Sequence, residues 1–274
     1  MIIGTETWLN DSVHNSEIFP PNYNIYRRDR REGFGGVLIA VKADIVSDHL
    51  DVEINTESVY ISITLEKGKQ LIVGALYRPP ISSIEYMDKL CTTLETLTTR
   101  HNKAIFWVGR DLNLPDMNWI TQAIAGNSNA VAINHRLLDC TQNCGLEQMV
   151  NFPTRQRATL DLFFTNRPSL VDKCLPVPGV ADHDMVHSIT SATARRSKPI
   201  SRKIHLWKRA DMDALRRGCT ELATTFCQTF NATNQIQDMW TFIKTLLLKL
   251  QDHHVPSNQS STRYSQSWIN REKA

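Results

Sequence analysis

The chain has 274 residues, a formal net charge of +3, 41% hydrophobic and 22% charged residues. That apolar share supports a real core and excludes a globally disordered chain. The small net charge permits a nucleic-acid partner without demanding one. No apolar run reaches membrane-spanning length and no signal peptide opens the chain, so no membrane partner is expected and the expected setting is nuclear or cytoplasmic. The six cysteines, at 91, 140, 144, 174, 219 and 227, form no Cys-x-x-Cys pair and no zinc spacing; they read as scattered thiols in a reducing compartment.

Along the chain, the apolar run Ile2-Ile3-Gly4 leads into Thr5-Glu6-Thr7-Trp8. Basic residues cluster at Arg27, Arg28, Arg30 and Arg31, which alone reads as solvated surface. Strands are predicted at residues 35–41, 59–65, 71–77, 104–109, 160–165 and 185–190, rich in β-branched and aromatic residues. Ser83 is placed to cap a helix carrying Ile84, Met87, Leu90, Cys91, Leu94 and Leu97 on one side. A second helix runs through Ile133, Leu137, Cys140 and Cys144 to Gly145, a residue that commonly ends helices. The strand–helix–strand order from Leu71 to Gly109 fits one crossover unit. Residues 1–190 therefore read as one α/β domain, 191–205 as a basic linker containing Pro199, 206–252 as a helical connector and 253–274 as a flexible tail. In the connector, Asp211 caps a helix with Met212, Leu215, Leu222, Phe226 and Phe230 on its apolar side. A second helix there carries Ile236, Met239, Trp240, Ile243, Leu246, Leu247 and Leu250, and the two read as a small packed pair.

Polar residues gather where the predicted strands end or begin, which is where a sheet presents side chains to solvent. Hydrolysis of a phosphodiester needs a cation, a positioned water, donors to the non-bridging oxygens and help for the leaving oxygen. Glu6, a hard oxygen ligand, suits Mg²⁺ or Mn²⁺, although such a residue alone is more often a surface acid. Asp111 and Asn113 lie on the loop after 104–109, and their i,i+2 spacing points both side chains one way if the backbone is extended. A carboxylate can take a proton from water and an amide can hold a phosphate oxygen; the bland alternative is a turn before Pro115. His183, beside Asp182, can donate to a phosphate, and Asp161 on a separate strand can orient its ring. Tyr77 ends its strand before Arg78-Pro79-Pro80, with a hydroxyl that can reach a phosphate or merely close the core. His187, four residues beyond His183, lies in an alternating run and so on a strand rather than a zinc-binding helix.

Taken together, Thr5-Glu6-Thr7-Trp8-Leu9, Gly35-Gly36-Val37, Tyr77-Arg78-Pro79-Pro80, Gly109 to Pro115, Thr159 to Thr165 and Asp182-His183 resemble the endonuclease/exonuclease/phosphatase superfamily. More narrowly they resemble the endonuclease domain of non-LTR (LINE-type) retrotransposons of the Jockey/CR1 kind. The resemblance covers about residues 1–190. It implies a two-sheet α/β sandwich, followed here by a small C-terminal helical segment, and a Mg²⁺-dependent phosphoesterase that nicks DNA. By the same resemblance Glu6 and Asp182 are the expected metal ligands and Asp111 activates water. Asn113 orients the phosphate, Tyr77 contacts it, and Asp161 supports His183. No small-molecule cofactor is implied. A reverse transcriptase belongs to the parent element, but no Tyr-x-Asp-Asp signature occurs in this chain, so that domain is expected to be absent from it.

Three departures bear on activity. The family's first strand, which brings an Asn near the metal, belongs before Glu6, and the sequence starts at Met1. Arg110 stands where the family has a glycine beside the water-activating acid. Ala181 replaces a serine before Asp-His. They keep open an alternative, an inactive retroelement remnant with at most weak nucleic-acid binding.

Overall fold

The computed structural model describes residues 1–30, 34–52, 56–179, 181–197, 203–231 and 233–259. They fall into two compact units, Met1–Ser197 and Lys198–Ala274. In the first unit, β1 (Ile2–Thr5), the single-turn helix α1 (Asn15–Ile18), β2 (Tyr23–Arg28) and β3 (Val37–Lys42) open the chain. The three strands form an antiparallel sheet in the order β1-β3-β2. Next come β4 (Ser47–His49), β5 (Glu57–Thr64), β6 (Gln70–Tyr77), α2 (Ile84–Arg100) and β7 (Ile105–Asp111). A short ribbon of β8 (Met117–Asn118) and β9 (Ala123–Ile124) precedes α3 (Val131–Asn143), β10 (Glu147–Gln148) and β11 (Asp161–Thr165). The larger sheet has six strands in the order β10-β11-β7-β6-β5-β4. Only β6 and β7 in it pair in parallel, joined by α2 as the predicted crossover requires. A separate hairpin of β12 (Val171–Val177) and β13 (Met185–Thr190) completes the unit.

Period-two alternation assigns each face of the large sheet its own core. From β5, β6 and β7, Val59, Ile61, Leu71, Val73, Ile105 and Trp107 face the small sheet and meet Val37, Ile39 and Val41 of β3. From the same strands, Tyr60, Ile72, Leu76, Phe106 and Val108 face the opposite way, against Met87, Leu94 and Leu97 of α2 and Leu137 of α3. The result is a two-sheet α/β sandwich with helices on one outer face. Each fully buried Leu, Ile or Phe here stabilises the fold by about 1.5–3 kcal/mol relative to exposure. Truncating Phe106, buried to 1% exposure, to alanine costs about 3–5 kcal/mol.

The structure departs from the sequence expectations in specific places. β7 runs two residues past Gly109, so Asp111 is a strand residue rather than a loop residue. Strand β2 sits where the sequence shows an arginine cluster, and β12 carries Asp172, Lys173 and Pro176; charge masks the strand pattern in both. The start of the expected linker packs onto the first unit instead: Ala194 bridges Leu65, Arg196 bridges Ile45, and Ser197 N–H donates to the Asp44 carbonyl. Arg31, and the linker residues 198–202 with Lys198 and Arg202, lie outside the described residues.

The second unit contains α4 (Met212–Thr229) and α5 (Ile236–His254), with a two-stranded ribbon of β14 (Lys203–His205) and β15 (Ser257–Gln259). Asp211 caps α4 as expected, its carboxylate accepting from Ala214 N–H at 2.9 Å. Phe226, Phe230 and Phe242 cluster between the two helices, the packed pair the 3.6-residue period describes. Residues 260–274, most of the expected tail, lie outside the described residues. No described helix is long and apolar enough to cross a membrane.

Candidate active site

Register places four side chains in one row across the large sheet. Asp161 of β11 is paired with Asp111 of β7, Asp111 with Tyr77 of β6, and Tyr77 with Glu57 of β5. All four share the phase of the residues facing the small sheet, so they project from one face where their strands end or begin. That row supplies the floor of the site. Loops supply the rest.

Asp111 is 3% exposed. Burial first, and then the neighbouring Asp161 carboxylate, push its carboxyl up to about 7; the Asn113 N–H and His183 act in the opposite direction, and Glu6 adds a further upward push. Asn113 has a positive φ of 50°, so the extended backbone expected from the i,i+2 spacing is not present. Asn tolerates this left-handed conformation because its short polar side chain bonds locally. Its N–H donates to Asp111 Oδ1 at 3.1 Å, and its Nδ2 donates to the Arg78 carbonyl at 3.0 Å and to Asp111 Oδ2 at 3.4 Å. The amide is thus held against the carboxylate by a turn.

His183 Nδ1 lies 2.7 Å from Asp161 Oδ2, the carboxylate–imidazole pairing expected from sequence. Such a pairing fixes which ring nitrogen carries the proton and leaves the other directed outward. Thr154, 1% exposed, secures both partners. Its hydroxyl accepts from the Leu160 and Asp161 N–H groups at 3.0 Å, and its carbonyl accepts from Asp184 N–H at 2.7 Å. Gly179 permits the same loop to close: a Cβ there would lie 1.7 Å from the His183 carbonyl oxygen.

On the other flank, the Tyr77 hydroxyl donates to Glu6 Oε1. Burial and the Glu6 carboxylate raise the Tyr77 pKa, keeping the phenol protonated as a donor. Asp182 does not join the group. It is exposed and forms an ion pair with Arg155 at 2.5 Å, so the side chains of neighbouring Asp182 and His183 diverge.

Among the described residues, ligand atoms of Asp111, Asp161 and His183 lie within 4.8 Å of one another. Two carboxylates forced together with one carboxyl displaced towards neutrality form a donor set whose repulsion a divalent cation relieves. The residues therefore fit a hard cation, with Glu6 offering a further carboxylate near Tyr77.

Two arginines that enter the sequence reading only through motifs are buried. Arg78 is 0% exposed. Its guanidinium donates to the Leu112, Asn113 and Ser82 carbonyls and to Asn129 Oδ1, so it shapes the Asn113 loop from beneath. Arg110 projects to the helix-covered face, opposite Asp111, with its guanidinium 3.5 Å from the centre of the Phe164 ring. Strand alternation thus removes this cation from the acid it adjoins in sequence. Glu57 and Thr154 carry no motif. Glu57 does extend the alternation of Val59, Ile61 and Ile63 backwards by one step, which is a signal for it; Thr154 has none.

The match to the endonuclease/exonuclease/phosphatase family model spans residues 2–201, and the chain belongs to that family. Its fold is that of phosphodiester-cleaving nucleases. Among solved structures it is similar to a 3′-5′ exonuclease, NExo, from Neisseria meningitidis: 11% identity, 69% of this chain and 88% of that one covered, TM-score 0.51. It also matches the endonuclease domain of TRAS1, a telomere-specific non-LTR retrotransposon, at 14% identity over 62% of this chain and 80% of that one, TM-score 0.48. The human Nocturnin catalytic domain, with bound sulfate, matches at 14% identity over 68% and 80%, TM-score 0.42. At such identities the likeness is one of fold. No curated protein sequence matches the chain.

Proposed function

We propose that this chain is a divalent-metal-dependent phosphodiesterase that nicks DNA and derives from a non-LTR retrotransposon endonuclease. The observation that carries the reading is the convergence, on one rim of the sandwich, of Asp111, Asp161 and His183 within 4.8 Å, with Tyr77 in the same row. The retroelement origin rests on the ordered motifs from Thr5-Glu6-Thr7-Trp8 to Asp182-His183.

In this reading Mg²⁺ or Mn²⁺, when bound, offsets charge on the scissile phosphate. Glu6 and Asp161 would hold it. Asp111 accepts a proton from the attacking water. Asn113 holds a phosphate oxygen through its amide. His183, its Nδ1 held by Asp161, turns Nε2 towards the phosphate and donates through it when the ring carries both protons. Tyr77 stays protonated and steadies Glu6.

Incubating purified protein with supercoiled plasmid and Mg²⁺ or Mn²⁺ tests this. Nicking should vanish in EDTA and fall roughly 10²–10⁴-fold in Asp111→Ala, as loss of a general base does. Equal, metal-independent nicking by wild type and variant rejects the proposal.

A second reading, a non-catalytic fold that binds nucleic acid weakly, is favoured by one observation: Asp182 is paired with Arg155 rather than turned to the other acids. It predicts no metal-dependent nicking, and salt-sensitive DNA binding that a phosphate-driven contact requires.

A further inference from the structure

We propose that Trp8 and Phe34 form a stacking platform for one unpaired nucleobase of the nucleic-acid strand whose phosphate lies at the site. The inference rests on the nuclease reading and deepens it by naming what holds the substrate beside the scissile bond.

Singly exposed apolar residues need no explanation, but these two are built into a unit. Trp8 is 58% and Phe34 59% exposed, yet their rings are in edge-to-face contact, with centroids 5.0 Å apart and planes at 66°. The backbone beneath them is fixed. Trp8 N–H donates to the Gly35 carbonyl at 2.9 Å and Thr7 N–H to that of Gly36 at 3.4 Å. Glu6 and Trp8 both have positive φ, 48° and 55°, a strain that persists only where surroundings over-determine it. The Gly35-Gly36 turn is locked from below: Glu57, the end of the carboxylate row, accepts from Gly36 N–H at 2.6 Å. A Cβ on Gly35 would lie 2.3 Å from Glu57 Oε2 and one on Gly36 2.6 Å from Thr7 Oγ1, and both glycines have positive φ, 78° and 86°, a conformation that favours glycine.

The occupant follows from where the platform sits. Trp8 is two residues from Glu6, a separation of at most ~7 Å between Cα atoms, and Glu6 is bonded to Tyr77 in the row. A phosphate at the site therefore brings its own or the adjacent base within reach of the indole. Every base has a face that stacks on an aromatic ring, which holds a strand without reading its sequence. Because the two rings are steeply inclined, a base cannot be sandwiched between them. It stacks on one ring while the other braces it, so the platform takes a single base.

The test uses the full chain in EDTA and short single-stranded DNA carrying the fluorescent base 2-aminopurine at successive positions. Stacking should quench the probe at one position relative to the bound end. Trp8→Ala should weaken binding roughly 5- to 150-fold, the range for loss of one base–aromatic stack. Its salt dependence should be unchanged because phosphate contacts remain, and Trp8→Phe should retain most of the affinity. Phe34→Ala should fall between. Both side chains are exposed, so the variants keep the wild-type urea midpoint. Unchanged affinity in Trp8→Ala and Phe34→Ala, or no quenching at any position, overturns the proposal. If the chain cuts no plasmid but binds the oligonucleotide through Trp8, the platform stands and the nuclease reading falls. If Trp8→Ala nicks plasmid at the wild-type rate and binds the oligonucleotide normally, the platform alone falls.

Discussion

Replacing Asp111 by asparagine should stabilise the metal-free protein, and by an amount that depends on pH. The folded state holds this carboxyl at about 7 against an ordinary value of 3.8, chiefly through burial and the Asp161 carboxylate. Between those two values the folded protein binds a proton that the unfolded chain has released. Stability therefore falls as pH rises from about 4 to about 7, and is flat beyond. At 1.36 kcal/mol per unit, the rise from 3.8 to about 7 corresponds to about 4 kcal/mol of folding free energy missing at pH 8. The amide introduced by Asp111→Asn carries no charge and escapes that loss.

The intrinsic effects of Asp111→Asn, such as the lost acceptor for Asn113 Nδ2, do not vary with pH. The readout is thus the change in the stability gap between variant and wild type. Urea unfolding in EDTA should show the gap shift in the variant's favour by about 2–3 kcal/mol between pH 5 and pH 8. Adding Mg²⁺ at pH 8 should raise the wild-type midpoint and raise the variant's less, because a ligand stabilises only the state that binds it. A gap of constant size across pH, or one that widens towards acid, refutes the claim that Asp111 is a carboxylate held against its neighbours in wait for a cation.

Other perturbations probe the supports of the site. Arg78→Met should destabilise the fold by about 2–4 kcal/mol in urea unfolding, since it strips a donor set from the buried Leu112 and Asn113 carbonyls. Arg78→Lys should not restore stability, because one ammonium cannot reproduce the fork. Tyr77→Phe removes the donor to Glu6 and should weaken Mn²⁺ binding about 10- to 100-fold in a calorimetric titration, with little change in unfolding midpoint. Glu57→Gln loses the charge facing Arg30, 2.9 Å away, and weakens the bond to Gly36 N–H. It should cost about 1–3 kcal/mol in the same unfolding assay.

What is legible in the sequence follows from what is periodic in it. The continuous apolar run at 71–77 and the alternation on 59–65 identify β6 and β5, and the i,i+4 apolar spacing identifies α2 and α3, because each of these elements buries its apolar residues against a core. The same rule, carried two residues beyond Gly109, places Asp111 in phase with Trp107 and Arg110 in phase with Val108. The apolar run ends at Gly109, so the sequence pattern cuts the strand short and makes Arg110 a neighbour of the acid when it belongs to the other core. Residues that the site needs at its loops obey no period. Asn113 is held by a bond to its own turn, Asp182 and His183 diverge despite being consecutive, and Thr154 acts through a hydroxyl shared by two distant backbone amides. Such positions are decided by three-dimensional closure, and no spacing announces them. Motif resemblance brings Asn113 and His183 into view. Glu57 lies between the two cases: its phase is readable, but an acid at a core-facing position makes sense only once the Gly36 amide and Arg30 are seen to meet it.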